Sequence, residues 1–140
     1  MEIIKVENVN YRYKSYDSKP VDALKNVSFS VNEGEFLALV GANGSGKSTL
    51  AKHLNGLLLP RSGNVFVFGH NTKDDKDIYE IRKNVGVVFQ NPTLFPWLTV
   101  EKNIAFSLDV RGLKNGKAER VDQMIRMIGL ERFRNDYPAQ

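Results

Sequence analysis

The chain has 140 residues, of which 41% are hydrophobic and 26% charged, with a formal net charge of +4 and no cysteine. That balance is ordinary for a soluble globular protein with one core, and the missing cysteines exclude disulfides, thiolate metal sites and a cysteine nucleophile. The basic residues are scattered, which favours solvated faces over a nucleic-acid patch.

Met1-Glu2-Ile3-Ile4-Lys5 lacks the basic start and apolar core of a signal peptide, and no apolar run approaches the roughly 20 residues a helix needs to cross a bilayer. A cytoplasmic protein is expected, with any membrane role arising through a partner. Ile3 to Val9 and Val27 to Val31 alternate apolar and polar residues, the pattern of two strands with one covered face each. Between them, Lys14 to Pro20 reads as a polar loop, and Asn32-Glu33-Gly34-Glu35 turns the chain into Phe36-Leu37-Ala38-Leu39-Val40, an apolar run suited to a buried parallel strand.

Directly after that run stands Gly41-Ala42-Asn43-Gly44-Ser45-Gly46-Lys47-Ser48, which fits G-x-x-x-x-G-K-[ST], the phosphate-binding P-loop. Leu50, Leu54, Leu57 and Leu58 follow at helical spacing, so the glycines sit between a strand and a helix running from Lys47 to about Leu58. The chemistry follows from that placement. Glycines admit backbone angles that let successive N–H groups converge on phosphate oxygens, at a helix end whose dipole favours anions. Lys47 is expected on the β- and γ-phosphates of a nucleotide, and the Ser48 hydroxyl on Mg²⁺.

Downstream, Pro60-Arg61-Ser62-Gly63 reads as a turn and Asn64 to Gly69 as an alternating strand, followed by a polar loop from His70 to Asp77 and a short helix from Ile78 to Lys83. Val85-Gly86-Val87-Val88-Phe89 has the character of a buried strand, leaving through Gln90-Asn91-Pro92. Thr99 is the expected cap of a helix that carries Ile104, Phe106, Leu108 and Val110. A last helix spans about Gly116 to Gly129 with Val121, Met124, Ile125 and Ile128 on one face. His53 and His70 have no second ligand at metal spacing and read as structural.

Taken together, Leu24-Lys25-Asn26-Val27-Ser28-Phe29, the P-loop continued as Thr49-Leu50, Pro60-Arg61-Ser62-Gly63 and Val87-Val88-Phe89-Gln90 resemble, in order, the first part of an ATP-binding-cassette ATPase, the motor subunit of ABC transporters. Residues 1–92 look most like the energy-coupling-factor ATPases, and residues 93–140 like the ATPases of nitrate, sulfonate and osmolyte importers. The resemblance implies an α/β fold: a RecA-like P-loop NTPase core (35–92) behind an N-terminal antiparallel β layer (1–34), then the start of a helical subdomain (93–140), together an incomplete domain.

It also implies ATP and Mg²⁺ as ligands. Gly41, Asn43, Gly44, Ser45, Gly46, Lys47, Ser48 and Thr49 would hold the phosphates, Tyr13 would stack on adenine, and Gln90 would contact Mg²⁺ or the attacking water. Tyr11 and Tyr16 are competitors for the stacking role, since any planar ring offers a π-face to a base. The implied partners are a second ATP-binding subunit, identical or different, and an integral membrane subunit received by the surface after Gln90, where Leu94, Phe95 and Trp97 cluster, or where those rings form a local mini-core instead. Location at the inner face of the membrane would follow from that partner.

The family's signature motif would begin after Gln140, and no run of apolar residues ending in Asp-Glu occurs within the 140 residues. Phe106-Ser107-Leu108-Asp109 is the nearest, interrupted by Ser107. Phosphoryl transfer needs a second carboxylate on Mg²⁺ and a residue that orients water. The 140 residues alone are therefore expected to bind nucleotide weakly without hydrolysing it, as a fragment or a truncated product. A non-hydrolysing interaction fragment and a P-loop metabolic kinase are the competing readings; the antiparallel strands before the P-loop speak against the kinase.

Overall fold

The alternating segments become long paired strands. β1 spans Glu2–Tyr13 and β2 spans Val21–Asn32, antiparallel from Glu2 opposite Asn32 to Tyr13 opposite Val21. The computed structural model of the chain describes residues 1–14, 20–91 and 93–139. Most of the expected loop between the strands, Tyr16 included, and the exit proline Pro92 lie outside the described residues. The chain divides into two compact units, Met1–Val88 and Phe89–Gln140.

In the first unit, β3 (Ser62–Val67) pairs with the other edge of β1, and the two-residue β4 (His70–Asn71) pairs with β3, giving an antiparallel sheet in the order β2-β1-β3-β4. Val6 and Val9 are both buried although three positions apart, which a regular strand forbids because its side chains alternate faces. A register shift between them resets the alternation, with Asn8 at φ +48° and, on β2, Asn26 at φ +49°. Asparagine tolerates these left-handed angles. The displaced backbone finds side-chain partners: Asn8 N–H donates to Ser28 Oγ at 2.8 Å, and Asn26 N–H to Asn10 Oδ1 at 2.8 Å. Where β3 crosses this irregular stretch, Gly63 at φ +80° brings its α-carbon so close that an added Cβ would lie 2.3 Å from the Glu7 carbonyl oxygen and 2.4 Å from that of Asn8.

Helix α1 (Lys47–Leu54) packs Leu50 against Val6, Val9, Leu24, Val65 and Val67, joined by Ile81 of α2 (Ile78–Asn84). The expected extension of α1 to Leu58 does not form. Asn55 Oδ1 accepts the Leu57 N–H at 3.1 Å, Gly56 turns at φ +65°, and Arg82 of α2 donates to the Asn55 and Gly56 carbonyls at 3.3 and 3.1 Å. The polar segment after Gly69 also differs from expectation, contributing β4 before its turn.

The two apolar runs expected as buried strands, Phe36 to Val40 and Val85 to Phe89, are unpaired among the described residues. Phe36 is 94% and Val88 99% exposed. Their composition suits a strand, but a strand is made by its neighbours, and no described strand lies beside either run.

The second unit is helical. Thr99 caps α3 (Val100–Val110) by accepting the Lys102 N–H at 3.4 Å, as its sequence position suggested. Val121 and Ile125 of α4 (Lys117–Met127) close on Ala105 of α3, and Ile104, Leu108 and Leu130 pack around them, while Met124 and Ile128 stay exposed. Polar ties complete the unit. Asn103 accepts the Phe95 N–H at 2.8 Å and donates to the Phe95, Leu98 and Thr99 carbonyls at 3.1, 2.9 and 3.1 Å. Arg134, after the 3-10 turn Glu131–Phe133, pairs with Glu101 and Asp122, and the Arg134 and Asp136 carbonyls accept the Glu101 and Val100 N–H groups. The Phe95 ring lies tilted between those of Phe106 and Trp97, with centroids 4.5 and 5.5 Å away, and Leu94, Trp97 and Phe106 are all exposed, so the clustered rings touch one another without forming a buried mini-core.

Candidate functional site

The P-loop leads into α1 as its residues require. Asn43 and Gly44 make a turn, with Gly44 at φ +79°, and Gly46 at φ +98° is the residue before the first helical turn. Gly46 also carries a steric demand that its place in the motif does not explain: an added Cβ would stand 2.4 Å from the Ala23 carbonyl oxygen of β2 and 3.2 Å from Leu24 Cδ2. The loop is thus seated directly on the antiparallel sheet. Helical hydrogen bonding begins with Leu50 N–H to the Gly46 carbonyl at 2.8 Å, so the N–H groups of Lys47, Ser48 and Thr49 precede any intrahelical acceptor. Donors so placed, at the positive end of the helix dipole, suit an anion.

Lys47 arches back over the loop, its Nζ donating to the Gly41 and Ala42 carbonyls at 2.7 and 2.8 Å. The ammonium is held against the loop backbone. Gly41, Asn43, Ser45 and Ser48 are exposed on the same loop. Among the described residues no group of three or more His, Asp or Glu side chains is arranged to hold a metal. An octahedral Mg²⁺ carried in on phosphate oxygens and water needs only one or two protein oxygens, and the exposed Ser48 hydroxyl in the first turn suits that donor set.

Tyr13, the last residue of β1, joins this loop: its hydroxyl lies 3.1 Å from Thr49 Oγ1. Tyr11 meets the Tyr13 ring edge to face at 5.0 Å and the His53 ring at 4.8 Å. His53 is fully buried and its Nδ1 donates to the Thr49 carbonyl at 2.7 Å; burial lowers its pKa, with the Thr49 and Leu59 carbonyls offsetting part of the effect. The structural reading of His53 therefore gains content, since it braces the helix turn that carries Thr49. That role is visible only afterwards in the four-residue spacing of Thr49 and His53 on α1. His70 pairs with Asp77 at 3.1 Å.

The fold thus brings Tyr13 and Gly41 to Thr49 together in the first unit. Gln90 belongs to the second unit and is exposed there.

Known proteins share this arrangement. The model of the ABC transporter family matches residues 24–140. The energy-coupling factor transporter ATP-binding protein EcfA of Enterococcus faecium is 45% identical over 140 residues, 99% of this chain and 49% of that protein. An energy-coupling factor transporter ATP-binding protein of Clostridium novyi is 41% identical over 138 residues, again 49% of its length. The chain spans about half the length of the curated relatives it matches.

Among solved structures, a dimeric ATP-binding cassette in a post-hydrolysis state bound to ADP and Pi superposes with a TM-score of 0.84 at 34% identity, over 99% of this chain and 62% of that one. The protein cbiO1 of Clostridium perfringens, described as part of an ABC transporter complex, gives 0.75 at 32% identity over 97% of this chain and 54% of its own. With its P-loop seated on an antiparallel sheet, and with a family match running through both units, the chain belongs to the ABC transporter family.

Proposed function

We propose that the chain is nucleotide-binding sequence from the motor subunit of an energy-coupling-factor type importer, one that couples ATP to solute uptake. The observation that carries this reading is the P-loop, with Lys47 held against its backbone and Tyr13 hydrogen-bonded to its helix. Residues 1–34 serve as the antiparallel layer with its adenine-stacking end, 35–92 as the nucleotide core, and 93–140 as the exit toward a helical subdomain.

The N–H groups of the loop bind the phosphates of ATP, Lys47 turns from its carbonyl partners to the β- and γ-phosphates, and Ser48 ligates the accompanying Mg²⁺. Bound Mg²⁺ supplies charge neutralisation on those phosphates. Tyr13 presents its half-exposed ring to adenine, and Gln90 senses the Mg²⁺ or the attacking water and relays nucleotide state to the segment after it. A second ATP-binding subunit closes over the site, while a membrane subunit seats against the surface bearing Leu94 and Trp97, which keeps the protein at the cytoplasmic face of the membrane. No nucleic-acid role is assigned.

The 140 residues by themselves bind Mg-ATP weakly and do not turn it over. A fluorescent ATP analogue should bind the chain and be displaced by ATP, with no phosphate release in a malachite-green assay. Phosphate release abolished by Lys47→Ala would refute the non-hydrolysing part, and failure of the analogue to bind would refute the nucleotide reading.

A further inference from the structure

We infer that Thr49 is a positioning residue for base recognition: its hydroxyl aims the Tyr13 ring, tying the base end of the nucleotide site to the phosphate end. This rests on the nucleotide reading above and adds a residue-level link to it. Tyr13 stands at the end of β1, 39% exposed, where an unanchored tyrosine would swing freely about χ1 and χ2. Two contacts among the described residues restrain it. Its hydroxyl lies 3.1 Å from Thr49 Oγ1, and the Tyr11 ring meets it edge to face at an interplanar angle of 86°.

Thr49 is itself fixed. It is 8% exposed in the first turn of α1, its carbonyl accepts the His53 Nδ1–H at 2.7 Å, and the buried His53 ring packs on Tyr11 at 4.8 Å. Tyr13, Thr49, His53 and Tyr11 thus form a closed ring of contacts. The stacking face is preorganised by the same helix turn that carries Lys47 and Ser48, and preorganisation lowers the entropy lost on binding. Base affinity and phosphate affinity are therefore coupled through one threonine hydroxyl.

The test separates the base from the phosphates by using Mg-ATP and Mg-tripolyphosphate as two ligands, each displacing a fluorescent ATP analogue from the chain. Thr49→Val keeps the shape and removes the hydroxyl; Tyr13→Phe keeps the ring and removes the partner. Each should weaken ATP by about three- to tenfold, the range expected for one lost hydrogen bond, while changing tripolyphosphate by a smaller factor. The double variant should be no weaker than either single one, and Thr49→Ser should restore the ATP preference.

Equal losses for ATP and tripolyphosphate in Thr49→Val, or additive losses in the double variant, would overturn the inference while leaving nucleotide binding intact. A parent chain that binds tripolyphosphate as well as ATP would overturn it too, by showing that no base recognition exists. A parent that binds neither refutes the nucleotide reading and this inference together. Tyr13→Phe leaves the buried core untouched, so the comparison holds even if Thr49→Val folds poorly.

Discussion

In the first unit, Val6, Val9, Leu24, Leu50, Val65, Val67 and Ile81 are buried together and the strands approach closely through Gly63. In the second, Ala105, Val121 and Ile125 form the buried centre among the described residues, and closure falls to Asn103 and Arg134. Apolar burial needs shape but little direction, whereas a polar clamp works only if every donor and acceptor is met. The first unit should therefore fail through steric insertion and the second through loss of a single hydrogen-bonding group.

The largest effect is expected at Gly63. An alanine there must adopt φ +80° and push its Cβ into the Glu7 and Asn8 carbonyls, which costs about 3 kcal/mol or more of stability. Denaturation followed by tyrosine near-UV signals should show Gly63→Ala collapsing the first unit, and an unchanged midpoint would break the account of the bulged sheet. Asn103→Leu comes next. It strands the Phe95 N–H and the Leu98 carbonyl, while the Phe95 and Thr99 carbonyls keep the Leu98 and Asn103 backbone N–H groups, and should destabilise the second unit by about 2 kcal/mol. The single tryptophan, Trp97, lies in the clamped loop, so its emission reports this unit directly. A shift in the Trp97 emission midpoint, with the tyrosine signals changed only by the share of Tyr137, is the expected result.

A smaller, pH-dependent effect belongs to His53. Burial lowers its pKa in the folded chain, so below about pH 6.5 the unfolded chain binds a proton that the folded chain refuses. Stability is then lost as pH falls below about 6.5, by at most about 1.4 kcal/mol per pH unit, and levels off once the folded histidine also protonates. Melting temperatures measured from pH 7.5 to 5 should show a flatter acid limb for His53→Gln than for the parent. Parallel limbs would place the proton uptake elsewhere.

The P-loop was legible because its residues act locally: two glycines, a lysine and a hydroxyl at fixed spacing specify a turn and a helix start whatever surrounds them. The cap at Thr99 was legible for the same reason. Burial of both Val6 and Val9 was not, because it depends on Asn8, Asn10, Asn26 and Ser28 meeting across strands to support a shifted register. Phe36 to Val40 shows the other limit of a local reading. Its composition matches that of Val65-Phe66-Val67, yet Val65 and Val67 are fully buried beside β1 while the other run is unpaired. Pairing partners, which no local window contains, decided between them. The Tyr13 to Thr49 contact lay beyond reach likewise, since it joins residues 36 positions apart.

The proposed function rests on Gly41 to Thr49 binding the phosphates of ATP. Amide hydrogen exchange with and without millimolar Mg-ATP tests it most directly. Exchange should slow across Gly41 to Thr49 in the parent and stay unchanged in Lys47→Ala. Protection that is absent in the parent, or equal in the two proteins, would contradict it.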